Sequence, residues 1–423
     1  MSDTPADRTT SFLNRRQFVG QSLAGMSLLT SGVSLLAQEK PRSSLIKSIE
    51  PEVLFNGRTG NDRWFHPRAC VVPGETGNSV LMTMQSISGS DVFGPVHWTI
   101  SEDEGQTWSD PQLIPGLGRQ EFNEDLEVGV CDVTPQFHPQ TNTTIAMGHN
   151  VYYRNNVLAR PQLSRWPVYT IRNAAGEWSM PRKLDWDDPR GAFIYTCNCG
   201  QRLVLDNGDL LIAITYGPTE KSARSISTIR CTFDGEEINA VETGNALHND
   251  VKRGLLEPSL TRYRDKYYVT IRAEDERGYV AASDDGLQWE SQQAWCWEDG
   301  EPLTMSTTQQ HWLEHSDALY LVYTRRDDTN AKVIRYRAPI YMAEVNTDTL
   351  RLKRETEVVV LPLSGDPKND PRGVALMGNF NTTNLNPQES WVTVGEHRPA
   401  GGYRGDTLLA RINWSKPNRL LTD

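Results

Sequence analysis

A short acidic unit that ends in tryptophan recurs along the chain and restricts what it can fold into. The unit reads SEDEGQTW at residues 101–108 and SDDGLQW at residues 283–289, with a degenerate copy, GEWSMP, at residues 176–181. Its Asp can accept hydrogen bonds from turn N–H groups, its Gly allows a positive φ, and its Trp can pack between sheets. We therefore predict that the unit closes β-hairpins, with metal binding and catalysis as the alternatives.

Short apolar runs separated by Gly, Asp or Asn turns fill the chain after about residue 45. They include SVLMTMQSI, TIAMGHNVYY, LLIAITYG, KYYVTIRA, ALYLVYTRR and SWVTVGE. The alternation of Tyr267, Val269 and Ile271 is typical of a strand with one face against a neighbouring sheet. The tryptophans of the three acidic units are 70 and 111 residues apart, which suits four-stranded propeller blades. We predict an all-β, six-bladed propeller over residues 45–420, with five or seven blades as alternatives.

The first 37 residues resemble a twin-arginine export signal. Arg15 and Arg16 are followed by Gln17 and Phe18, and then by an apolar run that contains Gly, Ser and Thr. This run is too weak for a confident membrane span, so no stable membrane insertion is expected after cleavage. A periplasmic or secreted location follows, and a disordered basic tail is the alternative reading.

Charge and cysteine content exclude some classes of function. The net charge of -11 argues against nucleic-acid binding, which needs clustered Lys and Arg. The six cysteines are scattered, and Cys197-Asn198-Cys199 lacks the spacer of a zinc knuckle. We predict buried thiols, no metal site and no cofactor.

The acidic unit is similar to the Asp-box, the bacterial neuraminidase repeat, and the chain resembles the sialidase-like β-propeller superfamily. The resemblance implies six blades of four antiparallel strands around a central ligand pocket. It does not specify the reaction, because the repeat also occurs in propellers that are not sialidases.

The resemblance also implies site residues in the first blade. In FHPRACVV, His66 stands where sialidases carry the first of three arginines that clamp a carboxylate, and Arg68 lies two residues further on the same strand face. A histidine cannot reproduce the bidentate arginine contact, which predicts an acidic sugar other than sialic acid. Asp91, ten residues before Ser101, stands where sialidases place the general acid/base, with an Asx-turn role as the alternative.

Later segments supply the other residues that the resemblance implies. Glu257 is the carboxylate partner of the nucleophile and Arg272 is a second arginine, with a structural ion pair as the alternative reading. The third arginine is Arg337, or Arg335 on the same strand face. The nucleophile is Tyr403 or, failing that, Tyr341.

Four further residues are candidates because of their place in the predicted strands. His149 ends an apolar strand, Gln310 and His311 begin another, and Arg202 opens a third. In a propeller the innermost strands begin around the central channel, so these residues are expected near His66 and Glu257 in one pocket. A metal bound by His66, His149 and His311 is an alternative.

The sequence thus predicts an exported enzyme that hydrolyses a terminal acidic sugar from an oligosaccharide or polysaccharide. Asp91 would protonate the glycosidic oxygen, and Glu257 would polarise a tyrosine or water. One alternative is a lyase in which a neutral His removes the proton next to a uronate carboxylate. The other is a glycan-binding propeller without catalysis.

Overall fold

Six antiparallel sheets surround a central channel in the computed structural model, which describes residues 45–60, 63–74 and 77–421. Each sheet is a propeller blade with four principal strands, as predicted. The twin-arginine segment lies outside the described residues.

Blades 1 to 5 are each built from one consecutive stretch of chain, and in all six blades the strands run from the channel outwards. These strands are Phe65–Val72, Ser79–Gly89, Val92–Ser101 and Gln112–Leu113 in blade 1; Leu126–His138, Thr143–Arg154, Pro167–Arg172 and Arg182–Lys183 in blade 2; Ile194–Thr196 with Leu203–Val204, Leu210–Gly217, Ser225–Phe233 and Ile238–Thr243 in blade 3; Leu256–Tyr263, Lys266–Arg272, Gly278–Ser283 and Gln293–Ala294 in blade 4; His311–His315, Ala318–Tyr323, Ile340–Asn346 and Arg351–Leu352 in blade 5; and Phe380–Asn386, Glu389–Gly395, Thr407–Trp414 and Ile46–Phe55 in blade 6.

Short additional strands extend three of the sheets, and short helical turns connect other strands. The additional strands are Gln120–Asn123 and Val157–Leu158 in blade 2, Leu247–His248 in blade 3 and Val358–Leu361 in blade 5. The helical elements among the described residues are the 3-10 turns Pro189–Gly191, Ile334–Tyr336, Arg354–Thr356, Pro399–Gly401 and Arg419–Leu421. None of the described helices is long and apolar enough to cross a membrane.

The ring closes because blade 6 combines the two ends of the described chain. Ile46–Phe55 pairs antiparallel with Thr407–Trp414 as the outermost strand of that blade. The early strand therefore ties the last blade to the beginning of the propeller.

The hydrophobic core lies between neighbouring blades. Six clusters of buried side chains fill the six blade interfaces, and in one of them Val269 and Ile271 of blade 4 pack with Leu211 and Ala213 of blade 3. The six apolar runs singled out in the sequence each form the second strand of one blade. This placement explains their apolar character, because both faces of these strands are covered.

The acidic units form turns at the end of the third strand of a blade, and the Asp side chain of each unit closes its turn by hydrogen bonds, as predicted. Asp103 accepts hydrogen bonds from the backbone N–H of Thr107 at 2.8 Å and from its hydroxyl at 2.7 Å, and Ser101 donates to the same carboxylate at 2.9 Å. Asp285 accepts equivalent bonds from Ser283 and from two backbone N–H groups in blade 4. The carboxylates thus bind their own turns.

All six cysteines are free thiols, and five of them are buried. This agrees with the predicted thiols. Cys197 and Cys199 both lie in the segment that interrupts the innermost strand of blade 3, and neither is paired.

Candidate functional site

A cavity of about 490 Å3 opens where the innermost strands begin. Each blade contributes at least one polar residue to its wall from its innermost strand or from a segment next to that strand. These residues are His66, Asp132, Asn198, Glu257, Gln309 and Asn379. The shared pocket that was predicted from strand starts therefore exists, although its membership differs in part from the prediction.

An unusual local backbone conformation directs several of these side chains towards the cavity. His66, Asp132 and Glu257 have φ values of 55°, 58° and 46°, and each lies in a bulge where the pairing register shifts. Asn198, in the interrupted strand of blade 3, has a φ of 46°. Non-glycine residues rarely adopt this conformation, and bulges near sites of chemistry redirect side chains. Strained residues gathered at one cavity indicate a functional site.

Asp132 is the centre of a buried polar cluster. Its Oδ1 accepts a 2.9 Å hydrogen bond from Arg68 Nη2 and lies 3.6 Å from His66 Nε2, while Nδ1 of His149 lies 3.9 Å from Oδ2. Asn379 donates its side-chain amide to His66 Nε2 at 2.9 Å. Arg68 is fully buried and does not line the cavity, so its predicted contact with a ligand is replaced by a contact with Asp132.

Both histidines of this cluster are held neutral. Desolvation and the nearby Arg68 lower the pKa of His66 to about 3. Desolvation lowers the pKa of His149 to about 4, although Asp132 opposes the shift. Desolvation would raise the pKa of Asp132, but the positive charge and the hydrogen bond of Arg68 hold the carboxyl well below its usual range. The cluster therefore places two neutral imidazoles and one carboxylate beside the cavity.

Glu257 and Arg272 form an ion pair on the cavity wall. Nη1 of Arg272 contacts Oε1 of Glu257, and Nε of Arg272 donates to the Thr307 hydroxyl at 3.2 Å. The Glu257 backbone N–H donates to Thr215 Oγ1 at 3.1 Å, which fixes the bulge. The two residues that the resemblance paired thus lie together.

Arg335 and Arg337 also line the cavity, but they do not lie on one strand as predicted. They occupy a loop with a 3-10 turn, and the strand begins only at Ile340. Pro339 explains the late start, because proline has no N–H and restricts the residue before it. Desolvation, Arg272 and Arg335 lower the pKa of Arg337 to about 9. We refer to Arg272, Arg335 and Arg337 as the first arginine group.

Asp91 lies in the turn between the second and third strands of blade 1, at the cavity rim. Its φ is 57° and its side chain is exposed. It lines the same cavity as Glu257 and the first arginine group.

A second arginine group, Arg165, Arg224 and Arg253, lines the cavity from blades 2, 3 and 4. Seven arginines and four carboxylates line the cavity in all, in a chain whose net charge is -11. Among the described residues, only Arg253 and Arg272 of these seven form salt bridges, with Glu274 and Glu257. The cavity is thus strongly basic inside an acidic protein.

Besides Arg68, four predicted site residues do not line this cavity. Arg202 donates to the carbonyls of Thr134 and Ile145 and borders a separate cavity further along the channel. Gln310 accepts a hydrogen bond from Thr270 at 2.5 Å between strands. The strand that Gln310 and His311 were predicted to begin is His311–His315, and Gln310 precedes it.

The remaining two are His311 and Tyr403. His311 is fully buried, bonds Ser259 at 3.1 Å and packs edge-on against Phe380. The Tyr403 ring stacks on His397, and the alternative Tyr341 donates its hydroxyl to Asp327 in blade 5. The described residues that line the cavity include no tyrosine.

The metal site of His66, His149 and His311 is not assembled, because His311 is turned away from the other two. Cys131, Asp132 and His149 do place ligand atoms within 4.8 Å of one another. Arg68 already donates to Asp132, and this cation opposes a second positive charge at the same carboxylate.

Sequence reasoning missed Asp132, Asn198, Gln309 and Asn379. For Asp132 the available signal was local, because FHPRA, CDVTP and LEPSL align as the bulged segments of innermost strands. The second arginine group had no such signal, since its members lie outside the innermost strands.

No protein-family model matches the sequence, and no curated protein matches it. Solved structures match its fold. A protein of unknown function from Dyadobacter fermentans is 13% identical with a TM-score of 0.60, covering 87% of this chain and all of that one. Trypanosoma rangeli sialidase is 13% identical with a TM-score of 0.57 over 86% of this chain, and a Hadza microbial sialidase is 13% identical with a TM-score of 0.56 over 86%.

The chain spans about 59% of the length of the Trypanosoma rangeli sialidase and 68% of the Hadza enzyme. The resemblance to the sialidase-like propeller is confirmed at the level of the fold, at low sequence identity. Residue roles and reaction do not follow from this likeness.

Proposed function

We propose that this chain is an exported enzyme that hydrolyses a terminal acidic sugar from a glycan. The sialidase-like fold is consistent with a protein that acts on glycans. The proposal depends mainly on the charge of the cavity and on the carboxylates that border it.

One observation carries the proposal: Arg335 and Arg337 face the cavity without a salt bridge to any described residue. Arg335 is exposed, but Arg337 is partly buried, and a partly buried guanidinium without a counter-ion is unfavourable. A bound carboxylate would remove this cost at Arg337 and would accept charge-assisted hydrogen bonds from both side chains. The site is therefore suited to an acidic sugar. Its carboxylate binds the first arginine group.

The bordering carboxylates supply acid and base. Asp91, exposed at the rim, donates its proton to the glycosidic oxygen as that bond breaks. Glu257 is oriented by Arg272 and accepts a proton from the water that attacks the anomeric carbon. Water is the nucleophile that this cavity supports, because no tyrosine is among the described residues that line it.

A second candidate is a lyase, and the two neutral histidines favour it. His66 and His149, with pKa values of about 3 and 4, are unprotonated at neutral pH, so each has a free lone pair, although so low a pKa makes each a weak base. The proton would come from the carbon next to a uronate carboxylate, and the arginines would stabilise the resulting anion. The C–O bond to the leaving sugar then breaks and leaves a double bond.

Incubation of the mature protein with a panel of acidic oligosaccharides tests the proposal. Hydrolysis gives products whose summed mass exceeds the substrate by one water, as measured by mass spectrometry. Elimination gives an unsaturated product that absorbs in the near ultraviolet, and this result would replace hydrolysis by the lyase reaction. Binding of these glycans without any product would support the non-catalytic alternative.

A further inference from the structure

The second arginine group lies where three blades meet at the cavity. The Arg165 backbone N–H donates to the carbonyl of Phe193, which joins blade 2 to blade 3. The Arg224 N–H donates to the carbonyl of Arg253 at 2.7 Å, which joins blade 3 to blade 4. Backbone pairing between blades thus holds the three arginines close to one another.

Two of these guanidinium groups have no counter-ion. Arg253 pairs with Glu274, whereas Arg165 and Arg224 form no salt bridge with any described residue. Arg224 is buried and donates only to the carbonyls of Thr219 and Glu220, and Nε of Arg165 is buried without a hydrogen-bond partner in the described structure. Desolvation, Arg165 and Arg253 lower the pKa of Arg224 to about 10.

The second group is separate from the first. Glu274 lies between the two groups, because its Oε1 contacts Arg253 and is 4.0 Å from Nη2 of Arg272. A side groove leaves the cavity on the side of the second group, and Arg165, Arg224 and Arg160 line both spaces. A ligand that fills the cavity can therefore extend into a second basic region.

We propose that the second arginine group is a second anion-binding subsite, which takes an anionic substituent on the sugar next to the one that is cleaved. The substituent is a sulfate ester or a carboxylate, since both bind arginine through paired oxygens. The substrate is then a glycan with negative charges on two adjacent sugars. This inference rests on the proposed function for the identity of the ligand as a glycan.

Arg165→Met tests the subsite with little risk to folding, because the substitution keeps the apolar stem and removes only the charge. Arg182→Met is the matched control: Arg182 lies on the outermost strand of blade 2, pairs with Glu237 and is distant from the cavity wall. Both variants lose one positive charge. The melting temperature of each variant, compared with wild type, shows whether it is folded.

The measurement is kcat/KM for matched oligosaccharides that differ only in the second anionic group, one series with sulfate and one with carboxylate. We expect wild type and Arg182→Met to prefer one of the doubly charged series by at least tenfold. In Arg165→Met this preference should fall to about one. The preferred series identifies the substituent.

Equal kcat/KM for singly and doubly charged substrates in wild type would overturn the subsite, and so would a preference that Arg165→Met retains. Should wild type cleave nothing, calorimetric Kd values for the same pairs answer the question separately. A tenfold tighter Kd that depends on Arg165 supports the subsite while the hydrolase proposal fails. Equal Kd values overturn the subsite.

Discussion

At the scale of single residues, the site is marked by unusual backbone conformation. His66, Asp91, Asp132 and Glu257 all have φ between 46° and 58° and all line one cavity. Each such residue is disfavoured by about 1–3 kcal/mol relative to an ordinary conformation. The fold maintains them because neighbouring strands pair on both sides of every bulge, so the strain serves to direct side chains.

Asp91 is the residue whose replacement separates chemistry from folding. We expect Asp91→Asn to lower kcat by at least about 100-fold, because the amide cannot donate the proton that an acid catalyst supplies. Asn tolerates a positive φ, so the turn should persist and the melting temperature should change little. Steady-state kinetics and thermal unfolding of the same sample provide the test. A variant with near wild-type kcat would remove Asp91 from the mechanism.

At the scale of elements, one blade design serves two purposes. The outer hairpin is closed by an acidic turn unit, and the innermost strand starts with a bulge that faces the cavity. Gly105 shows how tight the closure is: its φ is 78°, and a Cβ there would lie 2.6 Å from the Trp391 ring of blade 6. The turn unit therefore also fixes the contact between two blades.

Asp103→Asn should lower the stability of the protein and leave its activity unchanged, whereas Asp91→Asn should lower the activity and leave the stability unchanged. Partial burial alone would raise the pKa of Asp103, but hydrogen bonds from Thr107 and Ser101 outweigh it and lower that pKa. The carboxylate thus stabilises the turn above its unfolded pKa, and this stabilisation is lost as the pH falls through the folded value. We expect the free energy of unfolding at pH 7 to fall by about 1 kcal/mol.

Urea denaturation measures this change, and kcat/KM should equal that of wild type within error. Asp285→Asn, the same change in blade 4, is the matched variant. A large loss of kcat/KM in either folded variant would show that the turn carboxylate takes part in catalysis.

At the scale of the whole molecule, burial of histidines makes stability depend on pH. Four histidines are buried close to the channel with pKa values lowered mainly by desolvation, to about 3 for His66 and His311 and about 4 for His149 and His397. In the unfolded chain a histidine has a pKa of about 6.5. The folded state therefore binds fewer protons below this value.

The expected result is that stability falls as the pH drops from about 7 to 4. Between about pH 6 and 5, each of these histidines contributes at most about 1 kcal/mol per pH unit, because the unfolded state binds its proton and the folded state does not. Urea midpoints at pH 7, 6 and 5 measure the slope. A flat profile would show that these imidazoles titrate normally in the fold.

The sequence by itself was sufficient to predict that the chain folds into antiparallel β-sheet blades. A turn lock such as residues 101–108 and an apolar run such as residues 210–217 are local, because their hydrogen bonds and periodicity involve neighbours within one hairpin. The placing of Asp91, Glu257 and Arg272 at one site was also anticipated, although it came from resemblance. Their roles, and the export signal, remain predictions.

Only the tertiary structure decided which polar residues meet at the site. His66 and Asn379 are 313 residues apart and share a hydrogen bond, and the second arginine group unites loops from three blades. Neither contact leaves a periodic or local signal in the sequence. Ring closure creates both, because it brings the start of every innermost strand to one end of one channel. The sequence around Arg68 does not show whether its guanidinium binds a ligand or an aspartate. Only the packing in the folded protein determines that its partner is Asp132.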